Sequence, residues 1–221
     1  MSKQQVLIVG ASRGIGLEFV KQYIAAGAQV TATARSDDAL AALRGLGATA
    51  LLLDVASADG NLPAGGAKFD VAVFVAGVYG PQQQNTMDVP AAADFDAVMH
   101  ANVFGPMRVL PQMAEALAPG GKLVVLSSRM GAIGERTANY GWLYRASKAA
   151  VNSVLKDVSL ALDGRATCIA VHPGWVRTDM GGSNADLSAL QSVTGLRNVI
   201  AELKPADNGR FINFDGTPIG W

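Results

Sequence analysis

Two residues four positions apart, Tyr144 and Lys148, have the types and the spacing that acid–base chemistry requires. They fall in a stretch whose pattern predicts a helix, where residues at this spacing share one face. An ammonium group beside a phenol favours the phenolate, so we expect Lys148 to lower the Tyr144 pKa from its usual value near ~10. A tyrosine tuned in this way could donate a proton to a carbonyl oxygen or accept one from an alcohol. The alternative is an ordinary pair of neighbours on a helix.

A glycine-rich turn near the N-terminus is the second feature with chemical meaning. The apolar run Gln5–Val9 leads into Gly10-Ala11-Ser12-Arg13-Gly14-Ile15-Gly16, which opens a helix. Glycines at these positions allow a tight turn, close approach of the backbone to a pyrophosphate, and close packing of helix on sheet. The helix N-terminus offers unpaired N–H groups and a partial positive charge to phosphates. The turn predicts dinucleotide binding, with a merely structural turn as the alternative.

The elements that must position these residues alternate between strands and helices along the chain. Apolar runs predict strands at Gln5–Val9, Gln29–Ala34, Thr49–Leu53, Val71–Val75, Lys122–Leu126 and Thr167–Val171, with a weaker one at Phe211–Phe214. Helical spacing predicts helices over Ile15–Ala26, Asp37–Arg44, Ala93–Leu117 (two segments meeting near Gly105-Pro106) and Leu143–Leu162. Strands that are apolar throughout are typical of sheets covered on both faces. We predict an α/β fold, a single doubly wound Rossmann domain over residues 1–221 with a mostly parallel six- to seven-stranded sheet and helices on both faces.

Composition excludes several function classes. Half of the 221 residues are hydrophobic, and 18 basic residues balance 18 acidic ones, which argues against a general electrostatic attraction to nucleic acid or to a membrane surface. No apolar run approaches the ~20 residues of a membrane span. The single Cys168 rules out a disulfide framework, and His100 and His172 are too few for a metal site, so we predict no metal. We expect a soluble, cytoplasmic protein.

The order of motifs resembles the short-chain dehydrogenase/reductase family over nearly the whole chain. The turn has that family's G-x-x-x-G-x-G spacing, and the motifs that follow it are Leu53-Asp54-Val55, Ala76-Gly77, Asn102-Val103-Phe104-Gly105, Ser127-Ser128, Tyr144-Arg145-Ala146-Ser147-Lys148 and the segment from His172 to Thr178. Gly131-Ala132-Ile133-Gly134, Gly141-Trp142 and the Gly216–Trp221 ending further resemble its C-factor/sniffer-type carbonyl reductase branch.

The resemblance implies a catalytic set of Asn102, Ser128, Tyr144 and Lys148. Ser128 follows a predicted strand at the end where open α/β sheets bind ligands, and its hydroxyl can hold the substrate's carbonyl oxygen. Ser127 remains the alternative for this role. By resemblance, Lys148 also holds the nicotinamide ribose, and Asn102 positions a water that relays protons to Lys148. A capping or helix-bending asparagine is the alternative for Asn102.

The cofactor that these motifs imply is NADP(H) rather than NAD(H). At the end of the second predicted strand, Ala34 and Arg35 stand where NAD enzymes usually carry a carboxylate, and Arg13 could supply a second cation for a 2′-phosphate. Asp37 and Asp38 are the counter-evidence, although they fit the start of a helix. The implied cofactor-binding residues are Gly10, Ser12, Arg13, Gly14, Ile15, Gly16, Arg35, Asp54, Val55, Ala76, Gly77, Asn102, Tyr144, Lys148, Pro173, Gly174, Val176 and Thr178.

The substrate side is expected in two segments that we interpret as loops, about 129–143 and 180–196. The second begins with Gly181-Gly182-Ser183, a plausible hinge for a lid. The expected substrate contacts are Ser128, Met130, Tyr140, Trp142, Tyr144 and Trp175. These residues indicate an apolar cavity with few fixed charges, suited to an aldehyde or ketone on a hydrophobic or aromatic body.

Our leading hypothesis is an NADPH-dependent carbonyl reductase acting on a small-molecule substrate. A signalling or binding protein on the same fold is one alternative, and an NAD-dependent alcohol dehydrogenase is the other. The family often forms homodimers through the helices that hold Asn102 and Tyr144. An apolar outer face on 151–162 would fit a dimer, although the same residues could belong to the core.

Overall fold

A seven-stranded parallel sheet forms the centre of the structure, a computed structural model that describes residues 3–57, 61–62, 66, 68–82 and 87–221. The strands are β1 (Gln5–Val9), β2 (Gln29–Ala34), β3 (Thr49–Leu52), β4 (Phe69–Phe74), β5 (Leu117–Leu126), β6 (Thr167–His172) and β7 (Arg210–Asn213). Their order is β3-β2-β1-β4-β5-β6-β7, and every neighbouring pair is parallel. The order reverses between β1 and β4, which is where open α/β sheets bind ligands at the carboxyl ends of their strands.

Helices cover both faces of this sheet. They are α1 (Gly14–Ala25), α2 (Asp37–Gly45), α3 (Ala92–Met99), α4 (Gly105–Glu115), α5 (Trp142–Ala161) and α6 (Ala189–Glu202). Helices α1, α2 and α6 contribute to the apolar core on one face, and α4 and α5 to the core on the other. Burial on both faces explains why the strands are apolar throughout instead of alternating. The predicted fold class is confirmed.

The predicted helix over 93–117 is a rod with a π turn at its centre. Helix α3 runs into a π turn at His100–Phe104, and α4 follows from Gly105. The expected junction near Gly105 is therefore confirmed, but it is a change of winding and not a break. A π turn widens one turn of a helix and redirects a side chain, and such turns are frequent at functional sites. Here the turn carries Asn102.

The second predicted loop, 180–196, is only partly a loop. Helix α6 begins at Ala189, and Ser188 and Gln191 form a capping box at its start. The interpretation of residues 189–196 as part of a lid is wrong, because Val193 and Leu196 are buried in the core beside α1. A substrate loop in this region is limited to residues 180–188.

The apolar residues of 151–162 could form either an outer face for a dimer or part of the core, and their burial distinguishes the two. Val151, Val154 and Leu155 are buried in the core between α5 and the sheet, whereas Leu160 is exposed. The core alternative therefore holds for most of the stretch. Within the described ranges, no helix combines the length and the apolar composition needed to cross a membrane.

The helical assignment of the second segment can be tested by truncating one leucine on each side of α6. Leu196 is completely buried and Leu190 is 60% exposed. We expect Leu196→Ala to lower the free energy of unfolding by about 2–5 kcal/mol, because it leaves a cavity in the core. Leu190→Ala is the matched control and should change it by less than ~0.5 kcal/mol. Urea denaturation of both variants measures the difference, and equal effects would contradict the assignment.

Candidate active site

A cleft of about 350 Å³ opens at the carboxyl ends of the strands, where the strand order reverses. It is lined by the turn after β1, the ends of β2 and β3, the loop after β4, the end of β5 and the first turns of α5. The residues predicted for the cofactor that line it are Gly10, Ser12, Arg13, Gly14, Ile15, Gly16, Arg35, Asp54, Val55, Ala76, Gly77, Tyr144, Lys148, Pro173 and Thr178. Residues far apart in the chain thus meet at one edge of the sheet.

The glycine turn has the geometry of a phosphate cradle. Gly10 has a φ of 89°, and a Cβ on it would lie 2.7 Å from the Ala76 backbone nitrogen. A Cβ on Gly16 would lie 2.1 Å from the carbonyl oxygen of Gly10, so neither position accepts a side chain. Arg13, the residue that precedes α1, makes no side-chain cap to the helix. The first amides of α1 therefore lack a side-chain cap and lie beside the cleft, an arrangement that fits a pyrophosphate.

The end of β2 presents one exposed cation and no carboxylate of its own. Ala34 is buried and Arg35 is exposed, and both line the cleft. Ser36 caps α2, and Asp37 and Asp38 occupy the first turn of that helix, where carboxylates favour the helix dipole. This placement explains the two acids without assigning them to a ribose.

Arg13, the second predicted cation, is paired in the structure. Its guanidinium lies 2.8 Å from the carboxylate of Asp179, and both side chains are largely exposed. Exposed pairs of this kind are weak, so the contact leaves Arg13 able to turn towards another anion. Asp179 itself lines the cleft and was missed by the sequence analysis.

Asn102 lies behind the cleft and links three elements. Its side-chain oxygen accepts the Val78 N–H at 2.8 Å, and its side-chain nitrogen donates to the Val78 carbonyl at 2.8 Å and to the Ser147 hydroxyl at 2.9 Å. The π turn is thereby joined to the loop after β4 and to α5. A Cβ on Gly77 would lie 3.1 Å from the Asn102 oxygen and 3.5 Å from the Lys148 ammonium. Gly77 is therefore packed closely against both side chains, and a larger residue would crowd them.

Tyr144, Lys148 and Ser128 come together at the floor of the site, and all three are buried. The Lys148 ammonium donates to the Leu126 carbonyl at 2.9 Å and lies 5.7 Å from the centre of the Tyr144 ring. Burial lowers the pKa of Lys148 to about 8. Burial also raises the pKa of Tyr144 to about 12, against the lowering effect of a hydrogen bond with Ser128.

The direction of the Tyr144 shift is opposite to our expectation. We expected the ammonium of Lys148 to lower the pKa of the phenol, whereas loss of hydration is the largest effect and raises it. The expected lowering is therefore wrong for this structure, in which the phenol keeps its proton well above neutral pH. The spacing alone could not reveal how completely the packing would exclude water.

The two candidate serines point to different partners. The Ser127 hydroxyl bonds with the side chain of Asn152 on α5. Ser128 accepts the Met130 N–H at 3.1 Å and also reaches the phenol of Tyr144. Ser127 lines the cleft and Ser128 does not, whereas Ser128 is the one with the tyrosine as a partner, so the choice between them remains a prediction.

The segment after β6 contributes to the cleft only in part. Pro173 and Thr178 line it, and the Thr178 hydroxyl accepts the Gly181 N–H at 3.1 Å. Gly174, with a φ of 81°, and the buried Val176 do not belong to its lining. Their predicted contacts with the cofactor remain predictions.

Of the six residues predicted to contact the substrate, only Tyr144 lines the cleft; Ser128, Met130, Tyr140, Trp142 and Trp175 do not. The Met130 side chain packs against Gly141, and Tyr140 is 58% exposed. Trp142 is half-buried, and its indole nitrogen has no hydrogen-bond partner among the described residues. The indole of Trp175 donates to the Gly181 carbonyl at 2.8 Å, so it fixes the loop that follows.

Tyr79 is a neighbour of the tyrosine that the sequence analysis missed. It lies on the loop after β4, and its ring stacks on the Tyr144 ring with centres 4.7 Å apart. Its hydroxyl oxygen is 2.6 Å from where a Cβ of Gly141 would be. An aromatic residue two positions after Ala76-Gly77 was the available signal, because that loop leaves the sheet at its ligand-binding edge.

Comparison with known proteins identifies the family. The family model for short chain dehydrogenases matches residues 4–188. The chain belongs to the short-chain dehydrogenase family. It is therefore an enzyme of the oxidoreductase class, on a fold that carries that family's motifs in order.

Individual relatives place this short-chain dehydrogenase in the C-factor/carbonyl reductase branch. The C-signal protein of Myxococcus xanthus is 39% identical over 133 residues, 58% of this chain and 80% of that protein. The carbonyl reductase Sniffer of D. melanogaster superposes with a TM-score of 0.86 at 28% identity, covering both chains completely. A carbonyl reductase from Pseudomonas aeruginosa PAO1, solved in complex with NADP, has a TM-score of 0.86 at 32% identity and also covers both chains completely.

Burial of Lys148 makes the stability of this dehydrogenase depend on pH. Its pKa is about 8 in the folded chain against an ordinary 10.5, so the unfolded chain binds more protons between these values. The contribution of Lys148 to the free energy of unfolding must therefore rise with pH across that window. We expect the wild type to gain stability relative to Lys148→Met between about pH 8 and pH 9.5, in urea titrations at a series of pH values. Lys156→Met, an exposed lysine on the same helix, is the control and should behave as the wild type. A difference between wild type and Lys148→Met that does not change with pH would contradict the burial.

Proposed function

We propose that this chain uses NADPH to reduce the carbonyl group of a small aldehyde or ketone to an alcohol. The observation that carries the proposal is the cluster at the end of the cleft, where the Tyr144 phenol meets Ser128 and lies beside Lys148. The cluster joins a proton donor and a hydroxyl at the switch point of the sheet. The carbonyl reductases among the structural relatives support the same reaction class.

The choice of NADPH as cofactor rests on the cleft and on a relative. The glycine turn and the uncapped amides of α1 fit a pyrophosphate, and Arg35 lies at the end of β2 where a 2′-phosphate can be bound. The carbonyl reductase of Pseudomonas aeruginosa was solved with NADP. The absence of a carboxylate at the end of β2 argues against NAD, which is usually held there through its ribose hydroxyls.

The reaction divides between the cofactor and the protein. When bound, the reduced nicotinamide supplies the hydride that the carbonyl carbon accepts. Ser128 and Tyr144 hold the carbonyl oxygen, on which negative charge develops as the carbon–oxygen double bond becomes single. Tyr144 then donates its phenolic proton to that oxygen, which completes the alcohol.

The remaining residues of the site position and reprotonate Tyr144. Lys148 places an ammonium beside the phenolate that forms and can return a proton to it. Because the Lys148 pKa is about 8, its proton can be exchanged near neutral pH. Asn102 holds the loop after β4 against α5 through Val78 and Ser147, and thereby fixes the wall of the cleft beside Lys148.

The acid–base role of Tyr144 is tested by removing its hydroxyl. With NADPH and a panel of aldehydes, ketones and quinones, we expect Tyr144→Phe to lower kcat by about 100-fold or more while NADPH still binds. Tyr23→Phe is the matched control, because Tyr23 is a buried core residue of α1 and does not line the cleft. NADPH absorbance follows turnover, and fluorescence titration follows binding.

Two results would contradict the proposed reaction. Equal turnover by wild type and Tyr144→Phe would show that another group supplies the proton. Binding of NADPH without turnover of any carbonyl by the wild type would favour a binding or signalling function, as the relation to the C-signal protein suggests for this fold.

The cofactor preference is tested at Arg35. We expect Arg35→Ala to raise the dissociation constant for NADPH about 10- to 100-fold and to leave that for NADH nearly unchanged, because only NADPH carries the 2′-phosphate. Arg165→Ala removes an exposed cation just before β6, at the opposite edge of the sheet, and should change neither constant. Equal weakening of both cofactors by Arg35→Ala would contradict the assignment and favour an NAD-dependent alcohol dehydrogenase.

A further inference from the structure

Arg145, the residue directly after the proposed proton donor, is a buried cation without a carboxylate partner. Only 5% of the residue is exposed. The guanidinium Nε donates to the Tyr140 carbonyl at 2.7 Å. Among residues 3–57, 61–62, 66, 68–82 and 87–221, that is its only hydrogen bond, and no carboxylate lies within ion-pair distance.

Such burial is unusual because a guanidinium has five N–H donors and loses much hydration in a protein interior. Buried charges are normally paired with an opposite charge, and an incomplete set of partners is costly. One carbonyl and one aromatic face compensate Arg145 in part, and its two Nη groups, which have no protein partner among the described residues, keep some contact with solvent. Three exposed arginines, Arg13, Arg129 and Arg210, each have a carboxylate partner, whereas the buried Arg145 has none among the described residues.

The aromatic residues near Arg145 connect it with Tyr144, the proposed proton donor. The Tyr140 ring covers the guanidinium at 4.9 Å, and Tyr140 is itself 58% exposed. Tyr79 is also close enough to interact with this charge: its pKa is raised by burial and by the Tyr140 phenol and is lowered by the charge of Arg145. The Tyr79 ring stacks on Tyr144. Tyr79 therefore contacts the proposed proton donor and also interacts electrostatically with the buried cation.

We propose that Arg145, near Tyr79 and Tyr140, binds a carboxylate group on the substrate. A planar guanidinium can grip a planar carboxylate through two parallel hydrogen bonds, and the aromatic rings near it suit a flat unsaturated body. The exposed Tyr140 ring is the part of this wall that must move aside to admit the ligand. The preferred substrate class is thus an aromatic aldehyde or ketone that bears a carboxylate, which adds a fixed charge to the apolar pocket expected from the sequence. This inference rests on the proposed function.

The competing explanation is that Arg145 only positions Tyr140 at the start of α5. Matched substrates separate the two explanations, because a positioning residue affects charged and neutral substrates alike. Suitable pairs are 3- and 4-formylbenzoate and their neutral methyl esters, which share the same aldehyde. Each is assayed with NADPH for kcat and KM.

In the wild type, we expect kcat/KM for at least one acid to exceed that for its ester by about 10- to 100-fold, the value of charge-assisted hydrogen bonds. Arg145→Met should abolish this preference, mainly by raising KM for the acid, and leave the ester nearly unchanged. Arg145→Lys keeps the charge but loses the fork, and should retain part of the preference. Arg136→Met, an exposed arginine in the preceding segment, is the matched control and should keep all of it.

Two results would overturn the inference: equal kcat/KM for acid and ester in the wild type, or an equal loss for both in Arg145→Met. If Arg145→Met does not fold, the inference is tested by the ratio of kcat/KM for acid and ester in the wild type and in Arg145→Lys. Calorimetric binding of 4-formylbenzoate to protein saturated with NADP⁺ keeps the two proposals apart. If 4-formylbenzoate binds in an Arg145-dependent way but is not turned over, only the proposed function is contradicted. If it is turned over but substitution of Arg145 does not change its binding, only this inference is contradicted.

Discussion

The hydrogen bond from the Lys148 ammonium to the Leu126 carbonyl is the contact on which the candidate site depends. It ties the first half of α5 to the last residue of β5, immediately before the two serines. Because strands and their covering helices share no backbone hydrogen bonds, side-chain contacts set how far along β5 the helix sits, and the bond of Ser127 to Asn152 is a second such contact. The bonds of Asn102 to Val78 and Ser147 then fix the loop after β4 against the same helix. The site is assembled where three elements are joined by side chains.

Burial of these side chains also sets the protonation state in which Tyr144 would begin the proposed reduction. A phenol whose pKa is about 12 is fully protonated at neutral pH, so Tyr144 begins as a proton donor. The oxygen left by hydride addition to a carbonyl is a stronger base than any phenolate, so transfer from Tyr144 remains downhill despite the raised pKa. Oxidation of an alcohol would instead need the phenolate first, and dehydration makes that state costly. The same desolvation that contradicts a simple ammonium–phenol interpretation therefore keeps Tyr144 protonated, as the proposed reduction requires.

Features of the fold and site that arise from neighbouring residues could be predicted from the sequence, and features that arise from tertiary packing could not. The strands were recognisable because burial on both faces leaves continuous apolar runs, and β1 and β2 have the predicted bounds. The glycine turn and the pair Tyr144 and Lys148 were recognisable because their spacing carries the chemistry. Helix α6 was not, since Thr194 and Gly195 weaken its helical pattern and its partner α1 lies far away in the chain. The stacking of Tyr79 on Tyr144 likewise arises only from tertiary packing, as does the burial of Arg145.

The substrate side combines a rigid start with a more open end. Gly131 packs so closely on α5 that a Cβ would lie 2.7 Å from the Lys148 carbonyl carbon, which leaves the chain after Ser128 no freedom to shift. Beyond it, residues 133–137 are all exposed, and Tyr140 closes the segment from the solvent side. Under the proposed function, substitutions in this exposed end would change the substrate entrance while Ser128 and Tyr144 stay in place. A buried cation at the junction of the two, held by the carbonyl of Tyr140, is therefore placed where recognition can vary while the proton donor stays fixed.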